Sequence, residues 1–154
     1  MTTSELVYPV ILFDEKGYFF VAVDEESLTT MRSSAFKHNR YEGYVIVDCK
    51  GRPFKIKHTR FVSSKGIFWG YTVFFDRIIR VEHLLDDEPL DWSFEDAKAK
   101  VLRDMKRALH SMDPDYWLGE MRKVKEAQSL REIIEVILPQ YDIRPYLKRG
   151  SRWK

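Results

Sequence analysis

The chain has 154 residues, of which 44% are hydrophobic, 14% aromatic and 32% charged. This length suits one domain with a substantial buried core, and the aromatic content excludes a chain that is disordered throughout. The formal net charge of +2 is smaller than the basic excess typical of dedicated DNA-binding domains, and the single cysteine, Cys49, excludes an intramolecular disulfide and a cysteine-rich zinc site.

Neither a secretory signal nor a membrane segment is visible in the sequence. Residues 1–10 contain no basic stretch followed by an apolar one, and no apolar run approaches the ~20 residues that span a bilayer. We therefore expect a cytoplasmic protein that does not contact a membrane.

Residues 1–92 are predicted to be mainly β-structure. Nearly continuous apolar runs at 7–13 and 18–23 indicate a first hairpin whose strands are buried on both faces. Its turn, Asp14-Glu15-Lys16-Gly17, has a near copy in Asp48-Cys49-Lys50-Gly51, which joins predicted strands at 43–47 and 54–62. In such turns the aspartate accepts hydrogen bonds from its own backbone and the glycine takes a positive φ, so both segments predict hairpins.

Two further segments complete this part of the chain. Residues 68–75 and 78–85 are β-rich and predict a third hairpin around Asp76-Arg77. Residues 24–40 are rich in serine and threonine, and we interpret 31–37 as a short helix.

Residues 93–138 are predicted to be mainly helical, because apolar residues recur at helical spacing and capping residues precede each run. Three helix starts are marked, by Ser93 with Asp96, by Asp113 before Pro114, and by Ser129 with Glu132. Pro139 is expected to end the last helix after Leu138, and residues 139–154 form a basic tail.

The order of these elements predicts an α+β fold with one domain over residues 1–154. Sequential hairpins followed by helices indicate an antiparallel meander sheet of about six strands, with about three C-terminal helices packed on it.

No segment predicts a catalytic residue, a metal site or a cofactor. The glycines form no phosphate-binding loop, and the four histidines each stand alone in their segments. His58 and His83 lie in predicted strands and could be spatial neighbours, but we expect hydrogen-bonded structural histidines. Cys49 follows Asp48, whose charge disfavours a reactive thiolate.

The densest acidic cluster is Asp86-Asp87-Glu88, where the predicted sheet gives way to the helices. A solvated loop is the expected interpretation, and a carboxylate pair for acid–base or metal chemistry is the alternative. We count all three residues as candidate partner-binding residues.

A basic strand is predicted within residues 50–65, which contain no acid. Its cations are Lys50, Arg52, Lys55, Lys57, Arg60 and Lys65. Strand alternation places Lys55, Lys57 and Thr59 on one face, and Phe54, Ile56 and His58 on the other. Lys55, Lys57 and Arg60 are therefore candidate contacts for an acidic partner or a phosphate backbone. Otherwise these lysines keep an exposed strand soluble, or the acidic stretch from Glu82 to Asp91 neutralises them.

An aromatic strand is predicted at 68–75. Alternation puts Trp69, Tyr71 and Val73 on one face, and large aromatics on an open face are typical of binding hot spots. Trp69 and Tyr71 are candidate partner-binding residues, unless both faces are covered by other elements.

The meandering sheet, the FWGY aromatic segment at 68–71 and the helical segment SLREIIEVI at 129–137 resemble small bacterial immunity proteins, which are encoded beside polymorphic or contact-dependent toxins. The resemblance spans most of the chain but includes no diagnostic residue set, so it transfers no functional residue. It implies a non-catalytic inhibitor that binds a cognate toxin protein stoichiometrically. The alternatives are nucleic-acid binding through the basic strand and the basic tail, and an enzyme with a dispersed site around the acidic cluster.

Overall fold

The computed structural model describes residues 1–38, 41–64, 77–111 and 113–143. The strands are β1 Val10–Phe13, β2 Phe19–Ala22, β3 Thr30–Arg32, β4 Val45–Val47, β5 Pro53–Ser64 and β6 Ile78–Leu85. The helices are α1 Glu25–Thr29, α2 Ser33–His38, α3 Phe94–Ala108, α4 Pro114–Glu126 and α5 Leu130–Tyr141. The predicted α+β fold with an antiparallel sheet and three C-terminal helices is confirmed. No helix among these residues is long and apolar enough to cross a membrane.

The six strands form one sheet in the order β2-β1-β4-β5-β6-β3, and every pair of neighbours is antiparallel. The chain leaves β2 at one edge and enters β3 at the opposite edge. Turn chemistry specifies hairpins but not this long crossing. The crossing depends on which apolar faces meet after folding.

The predicted short helix at 31–37 forms as α2, but it begins two residues later than predicted and ends at His38. Thr30–Arg32 form the edge strand β3, in which Met31 pairs with Ile79 of β6, and the helix begins only at Ser33. Burial explains the difference, since Met31 is fully buried against β6. A second error concerns Pro139, which lies inside α5 rather than after it. Tyr141 holds this last turn in place by stacking on Phe19, with ring centroids 4.0 Å apart.

The two predicted turns form with the same geometry. Asp14 Oδ1 accepts hydrogen bonds from the backbone N–H groups of Lys16 and Tyr18, both at 2.8 Å. Asp48 Oδ1 accepts equivalent bonds from Lys50 and Arg52, both at 3.0 Å. The glycines that close the turns, Gly17 and Gly51, have φ of 83° and 79°, as the turn chemistry requires.

The two faces of β1, β2 and β4 bury separate apolar clusters. One face packs against α3, α4 and α5, around Trp117, Val101 and Ile133. The other face is covered by β5, β6 and α1 through Phe54, Leu85 and Leu28, so the sheet curls over its own surface. The first hairpin is therefore buried on both sides, as its apolar runs predicted.

The long strand β5 contains two register shifts against β6. Ile56 and His58 pair with consecutive residues of β6, which leaves Lys57 as an extra residue, and Val62 is a second extra residue. A bulge reverses the alternation of the side chains that follow it. The predicted assignment of side chains to the buried and exposed faces of β5 is correct up to Ile56. It is wrong for His58, which is exposed, and for Thr59, which is buried.

Candidate binding surfaces

Two cations of β5 lie beside carboxylates on β6 or directly after its end, as one of the open alternatives anticipated. Lys57 Nζ lies 3.1 Å from Asp86 Oδ1 and 3.9 Å from Asp87 Oδ2. Arg60 forms an ion pair with Glu82, the residue directly opposite it on β6. The hydrogen bond to Asp86 raises the pKa of the Lys57 ammonium group. Both candidate contacts are therefore neutralised within the molecule.

Lys55 is the one candidate residue of β5 without an ion pair in the described structure. It is exposed and forms no ion pair with any residue of the described ranges. Lys50, in the preceding turn, is likewise exposed and without an ion pair among these residues. Of the predicted basic strand, Lys50 and Lys55 are the cations without an ion pair among the described residues, and Lys65 lies outside them.

Two residues of the acidic cluster, Asp86 and Asp87, provide the counter-charge to Lys57 on this strand. The α-amino group of Met1 lies 2.8 Å from Asp87 Oδ1, and together with Lys57 it lowers the pKa of the Asp87 carboxyl. A general acid at neutral pH needs a raised pKa, so the shift of Asp87 runs against that role. Glu88 is exposed. No group of three metal-ligating residues occurs within the part of the chain that the structure describes.

His83 is fully buried between β5 and α1. Its Nε2 lies 3.1 Å from the Leu28 carbonyl oxygen, which can only accept, so Nε2 carries the proton. The neutral Nδ1 then accepts from the Thr59 hydroxyl at 2.8 Å. Burial lowers the pKa of His83 to about 4. The imidazole is thus held neutral as a structural hydrogen-bonding group.

His58 does not join His83, because the first bulge turns it to the outer face. Its Nδ1 lies 2.7 Å from Glu42 Oε1, and the same carboxylate oxygen accepts a 3.4 Å hydrogen bond from the Thr59 backbone N–H. Glu42, which precedes β4 in the chain, therefore holds the edge of β5 just beyond the residues that pair with β4.

The second bulge coincides with an exposed apolar pair that sequence reasoning missed. Phe61 is 52% exposed and Val62 is 51% exposed. Beyond Ile56, β5 pairs only with β6 among the described strands, so this end of the strand lacks a neighbour from β4. The predicted aromatic candidates, Trp69 and Tyr71, lie outside the described residues.

A second cationic surface, also unrecognised from the sequence, covers the solvent side of α3 and α4. We call it the α3–α4 face, and it consists of Arg103, Lys106, Leu118, Arg122 and Lys125. All five side chains are exposed. A helical wheel would have found it, since Leu118 lies off the buried stripe of Trp117, Met121 and Val124.

Comparison with known proteins finds no family model that matches the chain, no similar curated protein and no similar solved structure.

Proposed function

We propose that this chain is a non-catalytic protein-binding domain, and that its partner is a toxin protein which it neutralises by direct contact. The observation that carries the protein-binding proposal is the exposed pair Phe61 and Val62 at the end of β5. Large apolar side chains left in water are costly, and a polar rim around an apolar centre is typical of protein interfaces.

The surroundings of this pair favour a protein partner over nucleic acid. Arg60, the adjacent cation, already pairs with Glu82, so it offers little charge to a phosphate backbone. An ion pair beside an apolar centre suits the rim of a protein interface, where charges set orientation and selectivity. The cations of the basic C-terminal tail, on which the nucleic-acid alternative also depends, lie outside the described residues.

The toxin-specific part of the proposal comes from the resemblance to immunity proteins. Such an inhibitor needs no catalytic group. It requires a stable scaffold and a contact surface that covers the active site or the substrate path of its target. The buried, hydrogen-bonded state of His83 and the paired carboxylates of the acidic cluster are consistent with a scaffold role for these polar groups.

The test is an affinity capture of the tagged protein from the cells that encode it, with nuclease treatment and a salt wash near physiological ionic strength. We expect one protein to be recovered at about one-to-one stoichiometry, and Phe61→Ser with Val62→Ser to abolish its recovery. Tyr18→Ser, at an aromatic residue of similar exposure in the β1–β2 turn, is the matched control and should leave recovery unchanged.

Inhibition of the recovered protein's own activity in proportion to added inhibitor would support the toxin-neutralising role. Recovery that survives the Phe61 and Val62 substitutions would contradict the proposed site. Nucleic acid recovered in place of protein, and removed by nuclease or salt, would contradict the function itself.

A further inference from the structure

The α3–α4 face carries positive charge that no residue in the described part of the chain neutralises by an ion pair. Arg103 and Lys106 on α3, and Arg122 and Lys125 on α4, form no ion pair with any residue of the described ranges. The acidic residues of the same helices do not pair with these cations in the described structure. Asp96 and Asp113 cap the helix starts, Asp104 is buried, Glu95 and Glu120 pair with Lys98 and Lys123, and Asp115 and Glu126 are exposed and form no ion pair among the described residues.

Helix stability does not account for this arrangement. Cations in the last turn of a helix interact favourably with its dipole, which explains Lys106 and Lys125. Arg103 and Arg122 lie further from the helix ends, where that effect has faded. Arg103 stands three and four residues from Lys106 and Arg107, a spacing at which like charges destabilise a helix.

Two hydrogen bonds fix how the helices lie against each other. Lys98 Nζ donates to the Ala127 carbonyl oxygen at 2.9 Å, and Trp117 Nε1 donates to the Met105 carbonyl oxygen at 2.6 Å. The pair is therefore antiparallel, and Arg103 lies level with the turns of α4 that hold Leu118 and Arg122.

An apolar side chain lies among these cations. Leu118 is 50% exposed, although its neighbour Trp117 is buried in the core. Leu118 shares one side of α4 with Arg122 and Lys125, which follow it by four and seven residues. An exposed leucine beside cations without ion pairs among the described residues is complementary to an acidic surface that presents an apolar side chain. A nucleic-acid backbone would use the cations and gain little from the leucine, because phosphate contacts are electrostatic.

We infer that the α3–α4 face is the docking surface for an acidic protein surface, in which Leu118 is the apolar contact and Arg103, Lys106, Arg122 and Lys125 form the cationic rim. This inference rests on the proposed protein-binding function and adds a second contact surface, made of residues other than Phe61 and Val62, together with the chemistry of the protein that it binds. Complementary charge of this kind accelerates association and suppresses wrong partners.

The probe is a fluorescently labelled amphipathic helical peptide with glutamates around a leucine stripe, measured by anisotropy with the full chain. Arg103→Glu with Lys106→Glu should weaken binding about tenfold or more, since both rim contacts become repulsive. Lys50→Glu with Lys55→Glu makes the same charge change at two exposed, unpaired cations elsewhere and should weaken binding less than about threefold, through long-range steering alone. Leu118→Ser should weaken binding severalfold.

Two other probes separate the possible outcomes. Polyglutamate, which offers charge without an apolar contact, should bind more weakly than the peptide and ignore Leu118→Ser. A 20-base-pair DNA duplex that binds more tightly than the peptide, with dependence on Arg103 and Lys106 but not on Leu118, would overturn the inference in favour of nucleic acid.

Equal weakening by the two charge-reversed pairs would also overturn the inference, because binding would then reflect net charge rather than this face. If the peptide fails to bind while the Phe61- and Val62-dependent capture succeeds, the inference fails and the proposed function stands. If that capture also fails, the proposed function fails with it.

Discussion

The two cationic regions of this molecule differ in where their counter-charges lie. Along β5 and its preceding turn, Arg52, Lys57 and Arg60 each have a carboxylate within ion-pair distance. On α3 and α4, Arg103 and Arg122 have none among the described residues. The density of lysine and arginine along the sequence suggested the opposite ranking, because the acids that neutralise β5 arrive from β6 through strand pairing. Charge available to a partner is thus a property of the folded surface.

The largest loss of stability should come from removing the buried carboxylate that pairs with Arg52 in the turn before β5. The carboxylate of Asp48 is fully buried, and it accepts from Arg52 Nη2 at 2.6 Å as well as from two backbone N–H groups. Asp48→Ala leaves these donors unpaired and should lower the free energy of unfolding by about 3 kcal/mol, measured by urea denaturation.

Asp14 provides the control, because it occupies the same place in the twin turn but is partly exposed and has no arginine partner in the described structure. Asp14→Ala should cost about 1 kcal/mol, since water can replace its contacts. Equal losses at the two positions would show that local turn chemistry, and not burial of the ion pair, determines the stability of this region.

The second largest effect is the loss of folding stability at low pH that the buried His83 causes. Its pKa is lowered in the folded state to about 4, so unfolding takes up a proton between that value and the ordinary pKa of 6.5. Stability should therefore be fully present above pH 6.5 and fall as the pH drops towards 4, by about 3 kcal/mol from this residue.

His83→Gln removes this titration while retaining a hydrogen-bonding side chain. Denaturant unfolding from pH 7 to pH 4 should give a shallower loss of stability for the variant than for the parent chain. Parallel curves would mean that His83 is not the group responsible, and that its buried, neutral state is not maintained in solution.

Parts of this structure follow from short-range chemistry and could be predicted from sequence. The twin turns, closed by Gly17 and Gly51, and the helix starts at Ser93, Asp113 and Ser129 depend on bonds within a few residues. The same holds for the buried first hairpin, whose apolar runs leave no solvent-facing side.

Other parts depend on contacts between distant segments. The bulge at Lys57 reverses the faces of His58 and Thr59, and no local signal marks it, because it arises from the register against β6. Strand β3 forms because Met31 meets Ile79 across the far edge of the sheet. A helical wheel could have predicted the residues of the α3–α4 face. That its cations lack ion pairs among the described residues could not be predicted, because it depends on where the acidic residues lie in the folded structure.

A smaller change in stability should follow from removing the counter-charges of Lys57 and Arg60 on β5. Asp86→Asn with Glu82→Gln removes the nearer of the two carboxylates beside Lys57 and the carboxylate paired with Arg60, and should change stability by less than about 1 kcal/mol because the cation of each pair is more than half exposed. The variant should bind a DNA duplex severalfold more tightly than the parent at low salt, measured by anisotropy, because freed cations can displace counterions from phosphates. Unchanged affinity would show that these carboxylates do not mask the strand.

The most direct test of the difference between the two regions is a pair of charge reversals measured by urea denaturation. Arg60→Glu places a second carboxylate opposite Glu82 and should destabilise the protein by about 0.5–1 kcal/mol. Arg103→Glu replaces repulsion from Lys100, Lys106 and Arg107 with attraction at helical spacing and should stabilise it by about 0.5 kcal/mol. Shifts of opposite sign are the predicted result. Shifts of the same sign would contradict the claim that β5 is neutralised and the α3–α4 face is not.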